Sequence, residues 1–207
     1  MTTPTEHLDP RVIRTRKLLR DALIELIPER GYDAITVKDI TDRATLNRAT
    51  FYLHYRDKED LLDRGFEEIW HELTRGNPFP HAPGGRLSLD ATHETVRTDF
   101  EHLARHAAFY RVMIGRDGVG HFIHRMQQHV YATTAERLAG LPVHRSPTDP
   151  PLDVVLQFIA SAYVGLMQWW LEHDMPSSPD EMAGTIVKLY DVSPFEAMGL
   201  RTGGATG

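Results

Sequence analysis

The sequence predicts an all-α fold: an N-terminal three-helix domain over residues 10–56, a larger helical domain over 57–198, and flexible tails at 1–9 and 199–207. Three observations predict it. Apolar residues recur at three- and four-residue spacing along most of the chain. Helix-start signatures stand ahead of the apolar runs, above all Thr36 followed by Asp39 and the lone Asn47. No pair of alternating segments reads as a hairpin.

The elements follow in order. Pro10 suits a first helical turn, and Leu19, Ala22, Leu23, Leu26 and Ile27 form one stripe that Pro28 and Gly31 are expected to end. A short helix over 36–44 buries Val37, Ile40 and Ala44. A second short helix runs from Asn47 to about Tyr55. Asp57 caps a fourth, with Leu62, Phe66, Ile69 and Leu73 on one face. GNPFPHAPGG (76–85) reads as a linker or bend. Beyond it, Val96, Phe100, Leu103 and Ala107 mark one helix, Phe109–Ile114 a short one, and Val119, Phe122, Met126 and Val130 another. A loop at 141–151 precedes a long apolar helix near 152–173. A last helix runs from about Pro179 to Val192, with Met182, Ile186 and Leu189 aligned.

Composition sets limits. The chain of 207 residues is 41% hydrophobic and 25% charged, ordinary for a globular protein. It has no cysteine, which removes disulfides, thiolate catalysis and Cys-ligated zinc. Residues 1–9 lack the apolar run of a signal peptide, so a cytoplasmic protein is expected. Residues 154–171 carry no formal charge, yet Gln157, Ser161 and Gln168 interrupt them, and a buried helix rather than a span is expected. The net charge of -6 is uneven. Residues 10–56 hold ten Lys or Arg against six Asp or Glu, whereas 61–207 hold 12 against 18. Affinity for DNA depends on local phosphate neutralisation, so this balance is compatible with a nucleic-acid partner at the N-terminus. No phosphate-binding glycine loop, nucleophile elbow or metalloprotease motif appears, so no enzyme and no cofactor are expected.

The segment 35–62 carries the chemistry. Only Thr45 to Asn47 separate the two short helices, which matches a helix-turn-helix unit. Arg48, Ala49 and Thr50 open its second helix: an arginine able to fork onto guanine, and methyls able to touch thymine. Tyr52 lies four residues after Arg48, on the same exposed face, while Phe51 is expected inside. His54 and Tyr55 end the helix where a phosphate strand would pass, and Lys58 sits in the first turn of the next helix, a ready phosphate site.

Residues 11–62 thereby resemble the N-terminal domain of the TetR family, through Gly31-Tyr32, Thr36 to Ile40, Ala44, Thr50 to Tyr55, Lys58 and Leu61-Leu62. The resemblance implies that Thr36, Tyr52, His54 and Lys58 hold phosphates and that Arg48, Ala49 and Thr50 read base edges; Asn47 and Tyr55 complete the expected DNA-binding set. Residues 157–183, ending in WWLEHDMPSSPDEMA, resemble a C-terminal type found in some TetR-like regulators. Two departures stand out: Thr45 replaces the family's usual turn glycine, and Pro28 lies near the end of the first helix.

The family's C-terminal domain implies an apolar cavity and a dimer interface of four helices, two from each subunit. The expected ligand set is Phe100, Leu103, Phe109, Met113, Phe122, Met126, Tyr163, Met167 and Trp170, although each taken singly is an ordinary core residue. The long helix divides into a stripe of Ala162, Leu166 and Trp169 and another of Ile159, Tyr163, Met167 and Trp170. The first is assigned to the dimer, with Met182, Ile186 and Leu189, and the reverse assignment stays open. His102 with His106 and His121 with His124 have metal-binding spacings but no third ligand in a motif, so no metal is expected. The expected partners are double-stranded operator DNA, a second copy of the chain and a small apolar or amphipathic effector that releases a repressor from DNA, with no membrane partner. A dimeric DNA-binding protein without an effector is the alternative.

Overall fold

The computed structural model describes residues 9–74, 81–82, 86–115, 122–138, 146–192 and 194–198. Its contacts divide the chain into two compact units, residues 1–75 and 76–207. Part of the expected linker, Val119, His121, the first part of the 141–151 loop and the tails apart from Asp9 lie outside the described residues.

The first unit is four helices. Helix α1 (Pro10–Arg30) begins where the Asp9 carboxylate accepts the Arg11 N–H at 2.8 Å. It buries Leu19, Ala22, Leu23, Leu26 and Ile27. It continues through Pro28, where the sequence predicts an end. The missing proline N–H forgoes one bond, to the Ile24 carbonyl, within the last turn of the helix. Gly31, at φ 75°, terminates the helix and donates to the Ile27 carbonyl at 2.8 Å.

Helix α2 (Val37–Arg43) starts at the predicted capping box, with Thr36 and Asp39 capping each other. Helix α3 (Arg48–His54) starts at Asn47, whose side chain accepts the Thr50 N–H at 2.7 Å. Helix α4 (Lys58–Thr74) follows Asp57, which accepts the Asp60 N–H at 2.7 Å. Helix α2 packs on α1 and α3, and α4 packs on α1. Leu19, Leu23, Ile35, Ile40, Phe51, Leu61 and Phe66 are each almost wholly buried. Truncating one of the larger of them to alanine costs about 3–5 kcal/mol. Helix α4 thus belongs with the N-terminal unit, whereas the sequence reading gives it to the C-terminal domain.

The second unit opens with a two-residue antiparallel ladder, β1 (His81–Ala82) against β2 (Arg86–Leu87), which the sequence reading does not contain. Helices α5 (Leu89–Arg105), α6 (Ala107–Ile114), α7 (Phe122–Leu138), α8 (Leu152–Glu172), α9 (Pro179–Asp191) and α10 (Pro194–Ala197) follow. Helix α5 packs along α9, α7 along α8, and α6 touches both α7 and α8. Helix α8 is long and apolar enough to cross a membrane. Here it is a core helix, burying Leu156, Ala160, Tyr163, Val164, Met167, Trp170 and Leu171 along one face.

The α8–α9 corner is tightly held. Arg111 donates to the Leu171 carbonyl at 3.3 Å and to Asp174 at 3.0 Å, and the Trp170 indole donates to the Ser177 carbonyl at 2.9 Å. Ser178 and Glu181 form a second capping box at the start of α9.

Candidate nucleic-acid interface

The site is built from the turn between α2 and α3 outward. Thr41 is buried, and its hydroxyl finds the Val37 and Lys38 carbonyls at 3.0 Å each. The turn closes through Thr45 N–H to the Asp42 carbonyl at 3.2 Å and Leu46 N–H to the Thr41 carbonyl at 2.9 Å. Thr45 has φ 56°, the left-handed region. Ion pairs join α2 to α1: Arg30 with Asp39 at 2.9 Å, and Arg43 with Glu29 at 2.7 Å and Glu25 at 3.3 Å. Being exposed, each contributes little to stability, but together they fix how α2 lies. The Thr36 hydroxyl and backbone N–H hold the Asp39 carboxyl below the usual carboxylate range.

Helix α3 has two faces of different character. Phe51 and Tyr55 point inward at 0% and 2% exposure. Tyr52 at 59% and Leu53 at 81% point outward, with Arg48 and Ala49 also exposed and Thr50 and His54 half-buried. Phe51 meets Tyr52 edge-on at 5.4 Å and Tyr55 at 5.8 Å between ring centroids. The inner rings therefore anchor the helix and hold the outer face toward solvent.

Of the nine residues expected to touch DNA, Arg48, Ala49, Tyr52, Thr36 and Asn47 are exposed, and Thr50 and His54 are partly so. Thr36 and Asn47 spend side-chain bonds as caps. Two depart from expectation. Tyr55, four residues after Phe51, shares its buried face, and burial pushes its phenol up to about 12, with Glu68 adding to the effect. Lys58 turns its ammonium onto the carbonyls of Tyr32, Asp33 and Ile35 rather than outward. Leu53 was absent from the expected set. Its position four residues after Ala49 places it on the outer face, a signal that its apolar character masks.

At the corner between α3 and α4, Asp60 is 6% exposed and accepts the Arg56 N–H and the Arg64 guanidinium, each at 3.0 Å. Burial alone would raise its carboxyl, but these bonds outweigh it and hold the group below the usual range.

In the second unit, the nine residues expected around a ligand are all buried, none above 8% exposure. Phe100 packs edge-on against Trp170 at 5.1 Å and Tyr163 at 6.3 Å, and the Tyr163 hydroxyl donates to Asp99 at 2.7 Å. The described groove is elsewhere: about 690 Å³ between α7 and α8, lined by Tyr131, Asp153, Val154, Gln157, Phe158 and Ser161. It opens on the outer face of α8 and is lined by none of the nine, of which Tyr163, Met167 and Trp170 lie on the buried face of that helix.

The dimer set also divides. Ala162 is exposed, Trp169 is 44% exposed, and Leu166 and Leu189 are half-buried. Met182 and Ile186 are 4% and 1% exposed within the chain's own core, where α9 packs on α5. Phe158 at 66% and Val154 at 58% extend the exposed apolar stripe of α8 instead, and Gly165 has open space at its Cα.

A capped two-helix unit whose second helix is anchored on one face and open on the other is a helix-turn-helix, the DNA-binding unit of a class of transcriptional regulators. Residues 19–64 match the family model described as bacterial regulatory proteins of the tetR family, and residues 90–191 match the one described as a transcriptional regulator C-terminal region. The chain belongs to the TetR family of transcriptional regulators, which are not enzymes.

It is 26% identical over 179 residues to YxbF of Bacillus subtilis (strain 168), an uncharacterised regulator of the same type, covering 86% of this chain and 45% of YxbF. It is 35% identical over 65 residues to DhaS of Lactococcus lactis (strain IL1403), an activator of the dhaKLM operon, covering 31% of this chain and 35% of DhaS. The chain thus spans less than half the length of these curated relatives. A TetR regulator structure from Streptococcus agalactiae shares the fold at a TM-score of 0.61 and 22% identity, covering 86% of this chain and 94% of that one.

Proposed function

We propose that this chain is a sequence-specific repressor that acts in the cytoplasm as a homodimer on operator DNA and is released by a small apolar or amphipathic effector. The observation that carries the DNA-binding part is the two-faced α3, anchored by Phe51 and Tyr55 and exposing Arg48, Ala49 and Tyr52. Arg48, Ala49 and Thr50 read base edges from the helix start, and Tyr52 and His54 take phosphates beside the caps Thr36 and Asn47. Homodimerisation is supported by the exposed stripe Val154, Phe158, Ala162, Gly165 and Trp169 on α8, which small residues open to close approach. That the groove lies along the same stripe favours a protein partner there over a small molecule. The effector reading rests on the Met- and aromatic-rich interior around Phe100, Met113, Met126 and Met167.

DhaS is named an activator, so the sign of regulation needs its own measurement. Selection of bound duplexes from a random pool tests the central reading: a short inverted repeat is expected, and no recovered preference at moderate salt would overturn it. Arg48→Ala should relax preference at one position per half-site by about 1–3 kcal/mol, leaving the others unchanged. A reporter downstream of the recovered site then gives the sign. The nine interior residues suit an ordinary core as well as a ligand site, and a dimeric DNA-binding protein without an effector is the second reading. Calorimetry of candidate ligands with and without operator separates the two, because an effector must bind the two states with affinities differing typically by 5–150-fold.

A further inference from the structure

Lys58, the first residue of α4, donates to three backbone carbonyls: Tyr32 at 2.8 Å, Asp33 at 3.1 Å and Ile35 at 3.0 Å. Its charge also lies 4.5 Å from the centroid of the Tyr32 ring. An ammonium has three N–H donors, so this short stretch of chain engages the full set. The carbonyls belong to the connection between α1 and α2, immediately before the Thr36 cap.

We propose that Lys58 is a positioning residue for the recognition helix α3 rather than a phosphate ligand. It ties the lead-in of α2 to the start of α4, and so closes into a loop the segment that contains both α2 and α3. The same corner is held from the α3 side by Asp60, which accepts from Arg56 N–H and Arg64. With the end of α3 and the lead-in of α2 both tied to the start of α4, the outer face of α3 has one presentation. Charge-assisted bonds are stronger than neutral ones. Drawing the ammonium out to a phosphate would strip three carbonyls of their shared donor, which opposes such a contact. Arginine cannot substitute, because its planar fork does not converge three donors on three carbonyls of one turn.

The inference rests on α3 being the DNA-reading helix, and the test separates the two claims. In the full chain labelled with ¹⁵N, the Lys58 ammonium resonance, assigned by its loss in Lys58→Met, should be protected from solvent exchange in the free protein. It should keep its shift and exchange rate when a random-sequence duplex is added. Rapid exchange in the free protein, or a shift of this resonance upon DNA binding, overturns the proposal. The free-protein measurement needs no DNA, so a chain that binds no duplex sinks the DNA reading without obscuring the tie.

The second arm uses operator affinity well below the unfolding midpoint. Both Lys58→Met and Lys58→Arg should lose tenfold or more while the slope of log affinity against log salt stays that of the parent. A slope reduced by about 0.9 in Lys58→Met and restored in Lys58→Arg would mark a phosphate contact. A lowered midpoint with unchanged affinity would mark a role in stability alone. Either result overturns positioning, and should neither variant fold, the resonance measurement decides.

Discussion

Thr45 occupies the turn between α2 and α3 at φ 56°, a conformation β-branched residues rarely adopt. The left-handed region costs an L-residue about 1–2 kcal/mol, and glycine gives back about 0.5–1 kcal/mol through its looser unfolded chain. Thr45→Gly should therefore stabilise by up to about 1 kcal/mol, read as a midpoint raised by about 2–4 °C at fixed protein concentration. A lowered midpoint would mean the Thr45 side chain makes a compensating contact. His54 carries a second prediction. Burial and the nearby Arg16 hold its imidazole below the ordinary 6.5, so it is neutral at neutral pH. Because the folded value is depressed, the free protein keeps its full stability above 6.5 and loses part of it as pH falls toward that value. A phosphate contact raises the value in the complex, so binding takes up a proton there, and operator affinity should rise as pH falls from neutrality. His54→Gln should flatten that dependence; a profile equally steep in the variant would remove His54 from the contact. At this scale the sequence was only partly legible. The caps Thr36 and Asn47 were readable because they act on neighbours three residues away. The partners of Lys58 were not, because carbonyls 23 to 26 residues distant leave no trace in residue type.

Among the elements, α3 and α8 show how far periodicity reaches. It separates the faces of each helix correctly: Phe51 from Arg48 and Tyr52, and Tyr163, Met167 and Trp170 from Ala162 and Trp169. It does not say what a buried face is buried against. The apolar stripe of α9 looks the same whether it meets a second copy or α5, and Met182 and Ile186 are placed against the chain's own core. Tyr55 was misjudged for a related reason: its hydroxyl suggests surface, while its spacing from Phe51 already places the ring inside. The length of α1 beyond Pro28 escaped because a proline signals a lost bond without saying whether the helix can spare it. The α8 stripe yields the prediction at this scale. Phe158→Arg puts a charge into the proposed contact at a residue 66% exposed in the single chain. Burying that charge unpaired should dissociate the dimer without unfolding the protomer. Light scattering should report a monomer with unchanged helicity, and a stable dimer would place the contact on another face.

For the whole chain, the decisive property is where charge sits. A net charge of -6 would repel DNA, yet residues 10–56 carry a surplus of four cations. Binding should therefore be strongly salt-dependent despite an isoelectric point near 6.0. A dimer making about six to ten phosphate contacts loses about 10³–10⁵ in affinity between 50 and 200 mM salt. A titration on a random-sequence duplex measures this directly, and affinity indifferent to salt would show that the basic segment makes no such contacts. The sequence reading divides the chain after residue 56, whereas contacts divide it at the Pro- and Gly-rich stretch beginning at Gly76, which sequence marks only as a linker or bend.

Trp169 and Trp170 are neighbours in sequence, and the turn of α8 sends them to opposite surroundings. The first is 44% exposed with its ring 4.9 Å from His173, and the second is 1% exposed and edge-on to Phe100. Two adjacent indoles thus give α8 a built-in pair of optical gauges. Emission from Trp169 is open to quenching by iodide and shifts to the blue when something dry covers the outer stripe. Trp170 stays blind to iodide until the interior itself loosens. With Trp70 replaced by phenylalanine, further single replacements at Trp169 and Trp170 split the light signal into association at the surface and opening of the core, with no added dye.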